Sequence, residues 1–368
     1  MVIDARESDC YRMAISLNSN QVNYLNIGLM VLSAGLAFLF PFELFLLVYA
    51  VLGPLHYLTE ISWLHDKSYF TQGRRDYLFL LGITIIITVI YFGWIPSAPK
   101  GTIEFFTGLA FLGALFFVLL KDRAARLWAF LIAALALFFF ASSEPFRVVF
   151  GLFLPTLIHV FLFTAMFILL GALRGKSLSG LVSLMVFAGL AASFFFYHPA
   201  HSAYHASDYV RQNYGYFKDN GTGSSPFILI NFYITKILGL SDFGQGKVPL
   251  LDFVKNANGF LYQNPTALAL MSFIAFSYTY HYLNWFSKTS IIGWHEISRG
   301  RALAILALWG LSLGIYAYDY SMGLQWLFFL SFTHVFLEFP LNQLTLIGIA
   351  KEGRKMFATR IAVAEAKR

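Results

Sequence analysis

The sequence predicts an all-α, polytopic transmembrane helical bundle of about ten spans. Three observations carry that prediction. Of the 368 residues, 58% are hydrophobic and only 12% charged, about half the charged share of a soluble domain. Apolar runs recur at roughly the 20-residue length that a helix needs to cross a bilayer. Lys and Arg gather in alternate loops, as they do in multi-pass proteins. The same composition excludes a soluble enzyme, a disordered chain and a disulfide-stapled module, and the one cysteine, Cys10, has no partner within the chain. The net charge of +7 comes from basic residues scattered between apolar runs, so it reads as loop charge and not as a nucleic-acid surface.

Residues 1–22 are polar, with Asp4, Arg6, Glu7, Asp9 and Arg12, and lack the basic-then-apolar order of a cleavable signal. After them, spans are predicted at 23–40, 42–64, 76–96, 102–120, 126–142, 146–173, 178–198, 265–287, 301–320 and 322–350. The stretch Phe227–Leu240 is short for a span and is expected at the interface. Lys67, Arg74 and Arg75 follow the second span, Lys121, Arg123 and Arg126 the fourth, Arg174 and Lys176 the sixth, and Lys288, Arg299 and Arg301 the eighth. The opposite short loops hold only Lys100 and Arg147. Both termini are therefore expected in the cytoplasm. The membrane domain is 23–350, with 199–264 inserted as an extracytoplasmic loop and 351–368 forming a basic tail.

Nine histidines punctuate this pattern. His65 and His295 fall in cytoplasmic loops. His198, His201 and His205 fall where the seventh span leaves the membrane, and are expected to form a solvated rim in preference to a second metal pair. Four remain inside spans: His56, His159, His281 and His334. All four spans run in one direction, and the four residues share a depth of about 20 Å below the outer surface. Glu60 follows His56 by four residues and Glu338 follows His334 by four, which puts each pair on one helix face. Ionisable groups are costly in lipid, face the bundle interior and mark function. Imidazole is the commonest metal ligand, carboxylates ligate iron or orient the far nitrogen of a ligating histidine, and an open histidine site suits Fe(II) and O₂. Four isolated hydrogen bonds to neighbouring helices, a proton relay in a transporter, paired haem ligands and a non-catalytic subunit are the rival readings.

Pro54, Pro155 and Pro340 flank these positions, and proline frees a backbone carbonyl that can open a cavity. Tyr57, Tyr280, Tyr282 and Trp285 are close in sequence to the candidate ligands and are expected to line an apolar substrate cavity, although Trp285 and Lys288 also read as membrane anchors. No P-loop, G-x-G-x-x-G or G-x-S-x-G motif is present.

Gly53-Pro54-Leu55-His56-Tyr57-Leu58-Thr59-Glu60 resembles the Gly-x-x-His-x-x-x-acid element of the Brp/Blh family, the bacterial and archaeal integral-membrane β-carotene 15,15′-dioxygenases, with Glu in place of Asp. Tyr280-His281-Tyr282 and Thr333-His334-Val335 resemble that family's later histidine-bearing helices. The family's H-x-x-x-H pair is reduced here to His281, between Ser277 and Trp285, and His159 offers a fourth ligand by another route. The resemblance implies a multi-pass protein of a bacterial inner membrane. Taken with the shared depth of the four histidines, it makes an Fe(2+) centre on His56, His159, His281 and His334 the leading expectation, His159 being the ligand the resemblance supports least, and it implies O₂ as co-substrate and a lipophilic, carotenoid-like substrate drawn from the surrounding lipid. Glu60 and Glu338 are expected to support the metal or to ligate it.

Overall fold

The computed structural model describes residues 18–95, 98–196, 204–214, 226–238 and 261–365. Among them the secondary structure is helical, with no strand. Each predicted span has its helix: α1 Ser19–Leu39, α2 Pro41–Asp66, α3 Tyr77–Tyr91, α4 Thr102–Leu119, α5 Arg123–Phe140, α6 Glu144–Arg174 and α7 Leu178–Phe196. Two short helices follow, α8 Asp208–Tyr214 and α9 Pro226–Leu238, then α10 Pro265–Ser287, α11 Arg299–Tyr318 and α12 Tyr320–Glu365. Eight of these are long and apolar enough to cross a membrane, which marks a multi-pass membrane protein. The two other span-bearing helices fall short for different reasons. Helix α3 has only 15 residues, and α10 has 23 but too polar a sequence. His198 and His201 lie outside the described residues.

That polarity follows from position. Seventeen of the 23 residues of α10 are buried, because α1, α2, α6, α7 and α9 surround it. A helix enclosed by protein does not need an apolar surface all round, so it can carry Ser272, Ser277, Thr279, His281 and Asn284 on packed faces. A polar seam sets its register against α1: Tyr280 and Ser287 both donate to Asn26 Oδ1, at 3.1 and 3.0 Å. Its start is fixed by Asn264, whose side chain accepts from the backbone N–H groups of Thr266 and Ala267. The second long element, α12, packs on α2, α3, α4, α6 and α11. Two apolar cores result, one around α10 and one around α12, and α2 and α6 contribute to both.

On the periphery α5 contacts the bundle chiefly through α4 and turns Leu131, Leu135 and Phe138 outward. The open end of the hairpin they form depends on Gly101, the residue before α4, which has φ +91 and lies where a Cβ would strike the backbone carbonyl of Ala141 at the end of α5. Gly101→Ala should therefore lower stability by more than about 1 kcal/mol, read as a lower midpoint in thermal unfolding in detergent; an unchanged midpoint would show that the hairpin adjusts freely. At the other end of α2, Ser68, Tyr69 and Phe70 all have positive φ, 50 to 56. Each such residue costs about 1–2 kcal/mol. The turn is held by Tyr69, buried and stacked on Tyr77 at 4.7 Å, and by Phe70 against Trp63.

Candidate metal centre

The four intramembrane histidines come together where α2, α6, α10 and α12 meet. His56 and His281 bring their Nε2 atoms within 3.1 Å, and so do His159 and His334. The rings form a closed square, with centroids at 4.8 Å (His56–His281), 5.0 Å (His281–His159), 4.9 Å (His159–His334) and 5.4 Å (His334–His56). His56, His281 and His334 offer nitrogens that all lie within 4.8 Å of one another. His159 adjoins that trio through His334. All four are buried, at 1–7% exposure.

Both carboxylates join them. Glu60 Oε2 lies 3.1 Å from His56 Nε2, the one-turn pairing read from the sequence. Glu338 is placed differently from the expectation that paired it with His334. Its Oε2 lies 3.2 Å from Nδ1 of His159, across the interface with α6. Spacing along α12 selects the face on which Glu338 stands, but the neighbouring helix decides which ring it meets. No protein-family model, no curated protein and no solved structure matches the chain. What the centre can hold must therefore be argued from its own geometry.

The donor set fits a divalent cation. Ligands at cis positions on a metal with bonds of about 2.0–2.1 Å lie roughly 3 Å apart, and three of the closest contacts here are 3.1 Å. His56 Nδ1 and His334 Nδ1 are buried with no hydrogen-bond partner, and beyond their contacts with His56 and His159 the Oε2 atoms of Glu60 and Glu338 have none either. Leaving such groups unpaired in a low-dielectric interior costs on the order of 1–3 kcal/mol each, and more when charged. Two carboxylates that also repel one another call for positive charge between them, and one divalent cation neutralises both. His281 has its far nitrogen satisfied by Thr164 Oγ1 at 2.9 Å. If Nδ1 carries the hydrogen of that bond, Nε2 presents its lone pair to the cluster, the state a metal ligand needs.

Helix α6 reaches the site by unusual winding. Val148–Phe163 is a π-helix, and Pro155, which has no N–H to donate, lies inside it. Such widened turns recur at functional sites, and this one delivers His159. Pro54 leaves a similar gap in α2, two residues before His56.

Aromatic side chains complete the walls. Tyr57 stacks on the His334 ring at 4.0 Å and 20°, and its hydroxyl is 2.8 Å from that of Tyr282. Below them Gly53 leaves just enough room: a Cβ there would sit 3.4 Å from the Tyr282 hydroxyl and 3.5 Å from that of Tyr57. Tyr57, Tyr278, Tyr282 and Ser331 border, together with His159, His281 and His334, a cavity of about 10 Å³ open to the centre of a water molecule. That is room for roughly one water-sized ligand. Two expected lining residues lie elsewhere. Tyr280 precedes His281 and so points about 100° away around the helix, toward Asn26 of α1. Trp285 does not border the cavity; it stands edge-on to His56 at 5.6 Å and donates to Thr59 Oγ1 at 3.0 Å. At 8% exposure it is a buried residue and not an interfacial anchor.

Four participants escape a reading by residue type: Thr164, Thr59, Ser331 and Tyr278. The first two do leave a trace, since Thr59 is one turn from His56 and Thr164 five residues from His159 on the π-wound helix. Hydroxyls are too common in membrane helices for that trace to stand out.

Proposed function

We propose that this chain is a membrane-embedded non-haem iron oxygenase acting on a lipophilic, carotenoid-like substrate, with ten spans and both termini in the cytoplasm. The observation that carries the reading is the closed square of imidazoles from four helices with two carboxylates against it, buried at the meeting of the two apolar cores. The resemblance of the His56 and His281 segments to the carotene dioxygenases supports the substrate class. Ferrous iron, when held by these side chains, supplies the electrons that activate O₂ beside an apolar substrate.

The chain's own residues do the remainder. The four imidazoles bind the cation, and Glu60 and Glu338 balance its charge. Thr164 holds the proton at His281 Nδ1, and Glu338 takes up the same duty toward His159. Burial of the whole cluster keeps bulk water out. The small cavity at the His159, His281 and His334 wall admits a diatomic gas, and Tyr57 and Tyr282, joined through their hydroxyls, form part of its lining. A chain-like substrate reaches the centre when that pair parts.

Metal analysis and an optical spectrum of protein purified in mild detergent from iron-replete cells test the proposal. About one iron per chain without a haem Soret band is expected. Protein that retains no metal, and takes up no ferrous iron when titrated without oxygen, would overturn it and return the His/Glu cluster to a proton- or ion-coupled transporter.

A further inference from the structure

Two aromatic branches leave the histidine cluster. The longer passes from Tyr57 and Tyr282 to Tyr278, 6.2 Å from Tyr282 between ring centres, and on to Tyr49, 5.8 Å from Tyr278. The shorter runs toward the Asp66 end of α2 through tryptophans alone. Trp285 stands edge-on to His56 at 5.6 Å, and Trp63 stands edge-on to Trp285 at the same 5.6 Å. Trp285 is buried, whereas Trp63 is half-buried and reaches the surface. Each indole N–H has an acceptor: Thr59 Oγ1 for Trp285, and the carbonyl of Ile292, at 3.2 Å, for Trp63. Neither ring borders the cavity, so substrate contact does not explain them.

Indole is among the most readily oxidised side chains. Two indoles in edge contact, between a buried redox centre and the surface, give an oxidising equivalent a way out of the protein. We infer that Trp285 and Trp63 form a one-electron relay from the histidine cluster to the surface, which draws off one oxidising equivalent when the centre meets an oxidant without substrate. The inference rests on the proposed iron centre. Its oxidant is a peroxide reduced at the cluster. The peroxide O–O bond breaks, two electrons and two protons are taken up, and two waters leave. A ferrous ion held there would give one of these electrons and be left ferric; Trp285 gives the other and is refilled from Trp63. Trp63 is left as an indole radical cation, and a diffusible one-electron reductant such as ascorbate restores it.

The test is freeze-quench EPR of iron-loaded protein mixed with hydrogen peroxide in the absence of substrate, with metal content measured on the same samples. The expected result is an organic radical whose lines narrow with ring-deuterated tryptophan and which ascorbate removes. Trp285→Phe should lose that signal, and Trp285→Tyr should restore a radical in the same place. In Trp63→Phe the radical should persist on buried Trp285 and resist ascorbate. Trp128→Phe, at a site 64% exposed on α5, should behave as wild type. A signal that narrows with deuterated tyrosine instead would overturn the relay and assign the exit to the tyrosine branch. Iron bound at wild-type level with no radical would overturn the relay alone, and absence of iron would overturn both the relay and the reading beneath it.

Discussion

Alanine in place of His56, His281 or His334 should each strip the metal from purified protein, weakening retention by more than the roughly 100-fold that loss of a mere outer partner costs. These three nitrogens lie within 4.8 Å of one another, so each would contribute directly to the ion. His159→Ala is the informative fourth member. Its Nε2 is 3.1 Å from His334 Nε2, and an equal loss would establish a four-histidine centre. Metal retained at wild-type affinity in His159→Ala alone would reduce the centre to three histidines, with Glu60 or Glu338 as the remaining ligand. Equilibrium dialysis against ferrous iron without oxygen reads all four variants. Wild-type retention in every one would remove the centre from this place in the fold.

The second large effect concerns charge, and its sign depends on the metal. Glu60→Gln and Glu338→Gln keep the side-chain shape and remove one negative charge each. Every single variant should weaken metal retention by about 10–100-fold, and the double variant by more, because no carboxylate then balances the ion. Without metal the order should reverse. Two buried carboxyl groups, 3% exposed each, must without metal either ionise in a dry interior or take up protons from neutral water, and either course costs stability. The double Gln variant should therefore unfold at a higher temperature than wild type in chelator, and at a lower one in iron. A purely structural role for the two residues would give the same sign in both conditions.

Much of this architecture was legible because lipid imposes simple rules. Ten predicted spans became ten helices, eight of them long and apolar enough to cross a membrane, and the similar depth expected for four histidines pointed to the place where their rings meet. The misplacements have local causes. Helix α1 starts at Ser19, before the apolar run, because Asn18 and Gln21 cap each other's backbone N–H groups. Helix α3 stops at Tyr91 and not near residue 96, since Gly93 turns the chain with φ +70. Helix α12 runs on to Glu365 through the basic segment read as a tail, because hydropathy marks what lies in lipid and not where a helix ends. Partners across helices were hidden for a different reason. Periodicity places Glu338 and Tyr280 on a face, but which ring or hydroxyl waits opposite depends on how α6 and α1 are rotated. The π-winding around Pro155 sets the first of those rotations, and one sequence does not announce it.

The polarity of α10 bears on how the molecule is made. During synthesis each helix partitions from the translocation channel into the bilayer largely by its own hydrophobicity, and by that criterion the helix that carries His281 is a poor candidate. Its neighbours α1, α2, α6 and α7 are all synthesised earlier and are apolar enough to enter first. They would offer a protein-lined slot, with Asn26 ready for Tyr280 and Ser287, before α10 leaves the ribosome. The order of the chain thus doubles as an assembly schedule: His56 and His159 are in place before His281 arrives, and His334 closes the square last. A nascent chain arrested before α12 would be a membrane protein with an unfinished site, and therefore a natural substrate for quality control.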